Sequence, residues 1–445
     1  MIEICAIGGY SETGKNSVAI KIDEEVFIID MGLQMENYIQ NTEDREDSSS
    51  KSYRELLKVG AVPDYSFIDK WKDQVKAIIP SHGHLDHMGA VPFAAGLFPK
   101  APVYCVPYTR EILRSTLMDD HISMPNKIIS LNQNLVHKLT KHVSLEFVHV
   151  THSIPQTSIV VLHTPYGKIA YACDYKFDPH PALGKNPNLD RLKELGKEGV
   201  KLLIVECLYA HDAKKTPSEA MAQQMLKDVL DGTNSEGKAV LVTTFSSHLA
   251  RLKSIVEQGH HLKREVLLLG RSLVKYIKAG ERINLVHLSK KARLIGQRDK
   301  VAQALKRVMK EGPEKFLLVV TGHQGEPKAI LTRMVKEEFP FRFKKGDLVV
   351  FSCSVIPVEL NQKNRESLES QLQAKGVRIF RDIHVSGHAS REDHRDLLTF
   401  LHPQFVLPAH STLDRAKHIA SLAFEEGYTT DQVLMMEDGM FRTLK

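Results

Sequence analysis

His82, His84, Asp86 and His87 fall in one short segment, Ser81-His82-Gly83-His84-Leu85-Asp86-His87. Two imidazoles two residues apart, then a carboxylate and a third imidazole, put four metal-ligating groups on a single loop. Imidazole nitrogen and carboxylate oxygen at this density suit zinc. A lone histidine is usually a satisfied core or surface residue, but four ligand groups together do not read that way. Two divalent ions about 4 Å apart need around seven ligands and a bridging carboxylate. This loop supplies four of them, so the others must come from elsewhere in the chain.

The elements that would position such a loop are short strands. Apolar runs at 26–29, 75–79, 145–150, 159–162 and 169–171 have the length, β-branching and flanking turn residues of strands. The first ends at Asp30, the second just before His82, the third before His152 and the last near Asp174; Pro165-Tyr166-Gly167 is the turn between the last two. Polar residues just past strand ends lie where loops gather ligands from several strands. From about residue 200 the rhythm changes. Continuous apolar runs at 202–205, 239–242, 266–269, 316–320 and 348–351 alternate with helical stretches, which predicts a parallel sheet covered on both faces. Ligands of such sheets bind beyond the carboxyl ends of the strands, and the loops there are small and rich in Gly and Ser. After about residue 370 the pattern changes again: 376–380 precedes His384-Val385-Ser386-Gly387-His388-Ala389, and 405–407 precedes Pro408-Ala409-His410-Ser411. Asn41 to Lys51 is polar and acidic and is expected to be an exposed loop.

The chain of 445 residues is long enough for two or three domains, and 42 % apolar with 26 % charged residues fits a soluble globular enzyme. The opening Met1-Ile2-Glu3-Ile4-Cys5 has no signal-peptide character, and no apolar stretch of about 18 residues predicts a membrane span. Five scattered cysteines without a C-x-x-C pair argue for reduced thiols and a cytoplasmic protein. Net charge is +6, but Lys185 to Arg365 holds 34 Lys and Arg against 20 Asp and Glu, leaving −8 for the rest. A basic middle between acidic flanks suggests a module facing a polyanion. The run Lys290, Lys291, Arg293, Arg298 and Lys300 reads as a solvated helix face.

The order His82-x-His84-x-Asp86-His87 resembles the second motif of the metallo-β-lactamase superfamily. On that resemblance Asp30, before Met31-Gly32, corresponds to the first motif, where the acid orients a ligand histidine. His152 in Thr151-His152-Ser153-Ile154-Pro155 resembles the third motif, and Asp174 in Cys173-Asp174-Tyr175 the fourth, whose carboxylate bridges both metals. Glu206, His388 and His410 resemble motifs A, B and C of the beta-CASP nucleases. Within that group the match is nearest to the ribonuclease J family and its short archaeal form. It is carried by Thr321-Gly322-His323-Gln324-Gly325-Glu326-Pro327, by His384 to Ala389, and by the opening Ala6-Ile7-Gly8-Gly9 and Gly14-Lys15-Asn16. Two departures stand out: Cys207 follows Glu206 where Ser or Thr is usual, and the extra C-terminal domain of most bacterial members has no counterpart.

The resemblance implies an α/β protein: an αββα metallo-β-lactamase sandwich from residues 1–199 and 366–445, with an α/β beta-CASP domain inserted at 200–365 and RNA lying in the cleft between them. It implies two Zn2+ per chain, one held by His82, His84 and His152, the other by Asp86, His87 and His410, with Asp174 bridging. Asp86, Glu206 and His388 form the catalytic group, His388 donating a proton to the leaving 3′ oxygen. Gly322, Gly325, Ser352, Ser354, Ser386, Gly387 and His388 are candidates for RNA phosphate. The expected activity is 5′-to-3′ hydrolysis of single-stranded RNA, with preference for a 5′-monophosphate end and release of nucleoside 5′-monophosphates. No membrane partner is expected, and a homodimer is carried as an expectation, though not in the bacterial mode. Two rivals stand beside this reading: a beta-CASP endoribonuclease of RNA processing, and an RNA-binding scaffold without catalysis. The Thr321–Pro327 loop speaks against the first and the full ligand set against the second.

Overall fold

The computed structural model describes residues 1–42, 52–356 and 358–444; the loop expected from Asn41 to Lys51 lies, beyond Thr42, outside the described residues. The chain divides into two compact units, one from Met1–Asp178, Asn186–Thr216 and Gly387–Lys445, the other from Pro179–Lys185 and Pro217–Ser386.

The first unit holds two sheets. In one, Phe441–Leu444, Ile2–Gly8, Ser17–Ile22 and Glu25–Ile29 pair antiparallel in that order, and the pairing then turns parallel through Val75–Ile79, Val103–Cys105 and Ile128–Ser130. In the other, Val136–Lys138, Ser144–His149, Ser158–Thr164 and Gly167–Ala172 are antiparallel, followed by Val200–Glu206 and Phe405–Ala409 in parallel. Side chains alternate between faces as the period of two requires. Leu145 and Phe147 enter the core between the sheets with Ile4, Phe27 and Tyr171. Val148 and Val150 face the opposite way, against Leu192, Leu195, Leu398 and Ile419 of the helices Leu189–Glu198, Arg391–Leu401 and Leu413–Glu425. This is the expected metallo-β-lactamase sandwich.

The second unit is one parallel sheet in the order Arg293–Ile295, Glu265–Leu269, Phe316–Val320, Val240–Thr243, Leu348–Phe351, Arg378–Phe380. Phe316–Val320 and Leu348–Phe351 are buried at every residue, which is why they read as unbroken apolar runs. Two strands differ from the sequence reading. Val200–Glu206, read there as the first strand of the parallel sheet, lies in the first unit between Gly167–Ala172 and Phe405–Ala409. It is parallel to Phe405–Ala409 and buried, so its sequence carries no alternation to mark the change of sheet. Arg378–Phe380, read as part of the C-terminal segment, is the edge strand of the parallel sheet, reached by the crossover helix Glu359–Ala374. The main segment of the second unit accordingly runs Pro217–Ser386, whereas the resemblance put the insert at 200–365. No helix among the described residues is long and apolar enough to cross a membrane.

Candidate metal centre

The ligand loop is fixed from below by Asp30. This residue follows the buried strand Glu25–Ile29 in a left-handed conformation, φ 59°, and is itself fully buried. One carboxylate oxygen accepts from Ser81 N–H at 2.7 Å, and the other from Ser81 Oγ at 3.0 Å, Tyr171 Oη at 2.8 Å and His87 Nδ1 at 2.6 Å. Burial pushes the Asp30 carboxyl up, against the pull of His87 and the other donors. With Nδ1 donating to Asp30, a neutral His87 presents a bare Nε2 towards the site, the arrangement a metal ligand needs. The backbone on either side is closely packed: a Cβ on Gly32 would lie 1.7 Å from Asp86 O, so only glycine fits. Asn16 donates to the same carbonyl at 3.0 Å and its amide lies 3.2 Å from His87 Nε2.

The side chains converge on Asp174. His82, His84, His152 and Asp174 form one group, Asp86, His87, His410 and Asp174 a second, and Glu206, His388 and Asp174 a third, with the ligand atoms of each group within 4.8 Å of one another. In the first, His84 Nδ1 lies 3.2 Å from His82 Nε2 and 3.1 Å from His152 Nε2. His152 Nδ1 donates to Gly387 O at 2.7 Å, so the Nε2 of the neutral ring is bare. A Cβ at position 387 would meet His152 Nδ1 at 2.9 Å, which explains the glycine. In the second group, Asp174 lies 3.3 Å from His87 Nε2 through one oxygen and 3.3 Å from His410 Nε2 through the other. Asp86 Oδ2 is 3.6 Å from His87 Nε2 and 3.5 Å from His410 Nε2.

These groups fit divalent cations. Burial holds His82 and His152 well below the ordinary imidazole value and brings His84 and His410 down to about 4, so all four are neutral donors. Burial also pushes His87 down, but the carboxylates of Asp174, Asp86 and Asp30 together raise it well above its usual value. Asp174 Oδ1 is buried and meets no hydrogen-bond donor among the described residues. Imidazole nitrogens facing one another across shared space, beside a carboxylate oxygen short of a proton, make a site whose acceptors a cation would satisfy.

Behind Asp174, the fully buried Glu206 accepts from Tyr175 N–H at 3.2 Å and lies 3.0 Å from His388 Nδ1. Burial raises the Glu206 carboxyl. Burial lowers His388, yet Glu206 and Asp174 outweigh it and bring the imidazole up to about 9. The two carboxylates thus favour the protonated form of the His388 ring.

The phosphate candidates do not gather in this way. Ser352 is corrected: it is fully buried, its hydroxyl donating to Ile383 O at 2.9 Å and accepting from Arg251 Nη1 at 3.0 Å. That hydroxyl completes the cage of a buried Arg251, which also binds both oxygens of Glu219 at 2.5 and 2.8 Å, so it has no capacity left for a phosphate. Gly325 is also corrected, since its N–H is spent on Gly322 O at 3.1 Å and a Cβ there would lie 2.4 Å from Asn364 O. Gly322 is buried at φ 119° and serves the same turn. Ser354 and Ser386 are partly exposed in the second unit, while Gly387 and His388 belong to the first. Ser81 and Tyr171, which hold Asp30, were not singled out from sequence; the pleat that places Tyr171 on the inter-sheet face was the available signal.

Comparison with known proteins agrees with this geometry. The family model described as metallo-beta-lactamase superfamily matches residues 11–216, and that described as ribonuclease J, beta-CASP domain, matches 237–367. The chain is 44 % identical over 429 residues to a ribonuclease J of Pyrococcus abyssi, covering 96 % of this chain and 94 % of that one. It is 42 % identical over 428 residues to a ribonuclease J of Methanocaldococcus jannaschii, covering 96 % and 95 %. A crystal structure of a protein of unknown function from Enterococcus faecalis shares the fold, with TM-score 0.67 at 18 % identity over 100 % of both chains.

Proposed function

The chain belongs to the ribonuclease J family, a group of metal-dependent ribonucleases, and on that premise we propose that it is a zinc-dependent 5′-to-3′ exoribonuclease of single-stranded RNA with a preference for 5′-monophosphate ends. The observation that carries the reading is the convergence of six candidate metal-ligand residues on Asp174 with the Glu206–His388 pair beside them. His82, His84 and His152 would hold one zinc, and Asp86, His87 and His410 the other, with Asp174 bridging. When bound, the two ions would supply a water nucleophile near neutral pH and offset charge developing on the phosphoryl oxygens.

The chain's own residues do the rest. Asp30 keeps His87 in the tautomer that turns Nε2 inward, and Gly387 O does the same for His152. Glu206 orients His388 through Nδ1, leaving the other ring nitrogen to face the reacting bond. Hydrolysis breaks the bond from phosphorus to the 3′ oxygen of the terminal nucleotide, and that oxygen takes the proton His388 carries. The products are a nucleoside 5′-monophosphate and an RNA with a new 5′-monophosphate. For the 5′-end preference, support comes from the resemblance of the 321–327 and 384–389 segments, and Ser354 is the hydroxyl retained as a candidate contact. Five buried, unpaired thiols support a reducing cytoplasm.

The reading is tested with one RNA labelled separately at each end and carrying 5′-hydroxyl, monophosphate or triphosphate. Labelled mononucleotide should appear first from the 5′ end, fastest from the monophosphate, with about two zinc ions per chain by elemental analysis. Equal rates on all three ends, first products from the 3′ end, or full activity after exhaustive chelation would overturn it.

A further inference from the structure

The loop after Val200–Glu206 carries a row of rings that the reaction above does not use. The Tyr209 ring lies 5.9 Å from that of His388, centroid to centroid, with the planes at 39°. Tyr209 stacks on His211 at 6.2 Å and 26°, and His211 meets His418 at 5.8 Å and 51°. The row therefore begins at the proton donor and ends in solvent: Tyr209 is half-buried, and His211 and His418 are exposed.

Its backbone is fixed. Arg391 N–H donates to Asp212 O at 3.0 Å and Glu392 N–H to Lys214 O at 3.2 Å. The Arg391 guanidinium reaches Ala210 O at 3.5 Å and His418 O at 3.3 Å, tying the two ends of the row together. Rings held this way lose little freedom when something settles on them. The two outer rings are exposed, so they add little to the core. The charges around them are already engaged: Asp212 lies 3.6 Å from His211 Nε2 and also pairs with Lys214, while Arg391 and Lys417 pair with Glu425 and Asp414. What a preordered row of planar faces fits is a nucleobase, which stacks on aromatic rings whatever its identity.

We propose that Tyr209, His211 and His418 form a nucleobase-stacking surface for the leaving nucleotide. The base attached to the departing 3′ oxygen rests at Tyr209, and the released nucleoside 5′-monophosphate passes over His211 and His418 on its way out. This rests on the exonuclease reading, in which the leaving product is a single nucleotide.

The test is product inhibition of RNA cleavage by AMP and by ribose 5-phosphate, which keeps the sugar and phosphate but has no base. In the wild type AMP should inhibit about fivefold or more better, the lower end for one stacked base. Tyr209→Leu and the double variant His211→Ala/His418→Ala should each lose most of that advantage. Ribose 5-phosphate should inhibit all three proteins alike, which also reports an intact fold. Equal inhibition by the two compounds in the wild type, or an AMP advantage that persists in either variant, overturns the proposal. The exonuclease reading fails separately, by release of 5′ fragments longer than one nucleotide from end-labelled RNA.

Discussion

Replacing Asp30 by Asn exchanges one carboxylate oxygen for an amide nitrogen and leaves the shape of the side chain intact, yet neither orientation of the amide can satisfy the site. If the amide nitrogen takes the place of Oδ1, it faces Ser81 N–H, a donor against a donor at 2.7 Å. If it takes the place of Oδ2, it faces Ser81 Oγ, Tyr171 Oη and His87 Nδ1. Both hydroxyls can turn, but His87 must then move its proton from Nδ1 to Nε2, the atom aimed at Asp174. The first orientation buries an unsatisfied donor and weakens the charge-assisted bonds, a loss of about 2–4 kcal/mol. The second protonates the nitrogen a metal needs. Loss of such an orienting partner typically costs about 10- to 100-fold in metal affinity. Chelator-competition titration of zinc and urea unfolding of the same preparation give both quantities. Tyr171→Phe is the control, because it removes one donor and keeps the charge; it should cost about 1 kcal/mol and only a few-fold in affinity. If the Asn variant binds zinc within about threefold of the wild type and unfolds at the same urea concentration, Asp30 does not act through His87 and the reasoning is wrong.

Other outcomes follow from the same geometry. His388→Ala should keep its metal by elemental analysis and lose about 10²-fold or more in single-turnover cleavage; loss of metal would make His388 a ligand instead of a proton donor. Burial pushes the Glu146 carboxyl up, but hydrogen bonds from His163 and Arg191 bring it down to about 2, so its stabilisation is present above its unfolded value and fades as pH falls towards 2. Glu146→Gln should therefore cost roughly 2 kcal/mol by chemical denaturation at pH 7 and progressively less in acid. Ser352→Ala should lower stability by about 1 kcal/mol while the rates on different RNA 5′ ends stay in their wild-type ratio, since its hydroxyl serves Arg251 and Ile383. Binding of single-stranded RNA to a His388→Ala protein should weaken steeply with salt, and a flat response would mean that the basic segment from Lys185 to Arg365 does not meet phosphate.

The first ligand loop was legible because its four groups are neighbours in the chain and need no tertiary knowledge to be seen together. His388 and His410 were not legible in that sense. At least 182 residues separate each from its partners Glu206, Asp174 and Asp86, and only the family resemblance pointed to them. Val200–Glu206 shows a different limit: a strand covered on both faces reads as the same apolar run whichever sheet it joins. Ser352 shows a third. A serine after a buried strand looks the same whether its hydroxyl meets solvent or closes the cage of a buried arginine, and that arginine lies about a hundred residues earlier. The row Tyr209–His211–His418 combines a loop with the face of a distant helix, and neither segment alone suggests it.

The first unit is assembled from three separated stretches of chain, and this sets the order in which the enzyme can come into being. Synthesis delivers His82, His84, Asp86, His87, His152 and Asp174 first, and His388 and His410 only after the second unit has been made. Phe405–Ala409 must then find Val200–Glu206 across the whole intervening unit before the strand end carrying His410 reaches Asp174. Pairing over such sequence separation is intrinsically slow. A nascent chain that ends within the second unit thus has most of the candidate ligands but neither His388 nor His410. On the proposed reading, cleavage competence waits until the second unit has been made and Phe405–Ala409 has paired with Val200–Glu206.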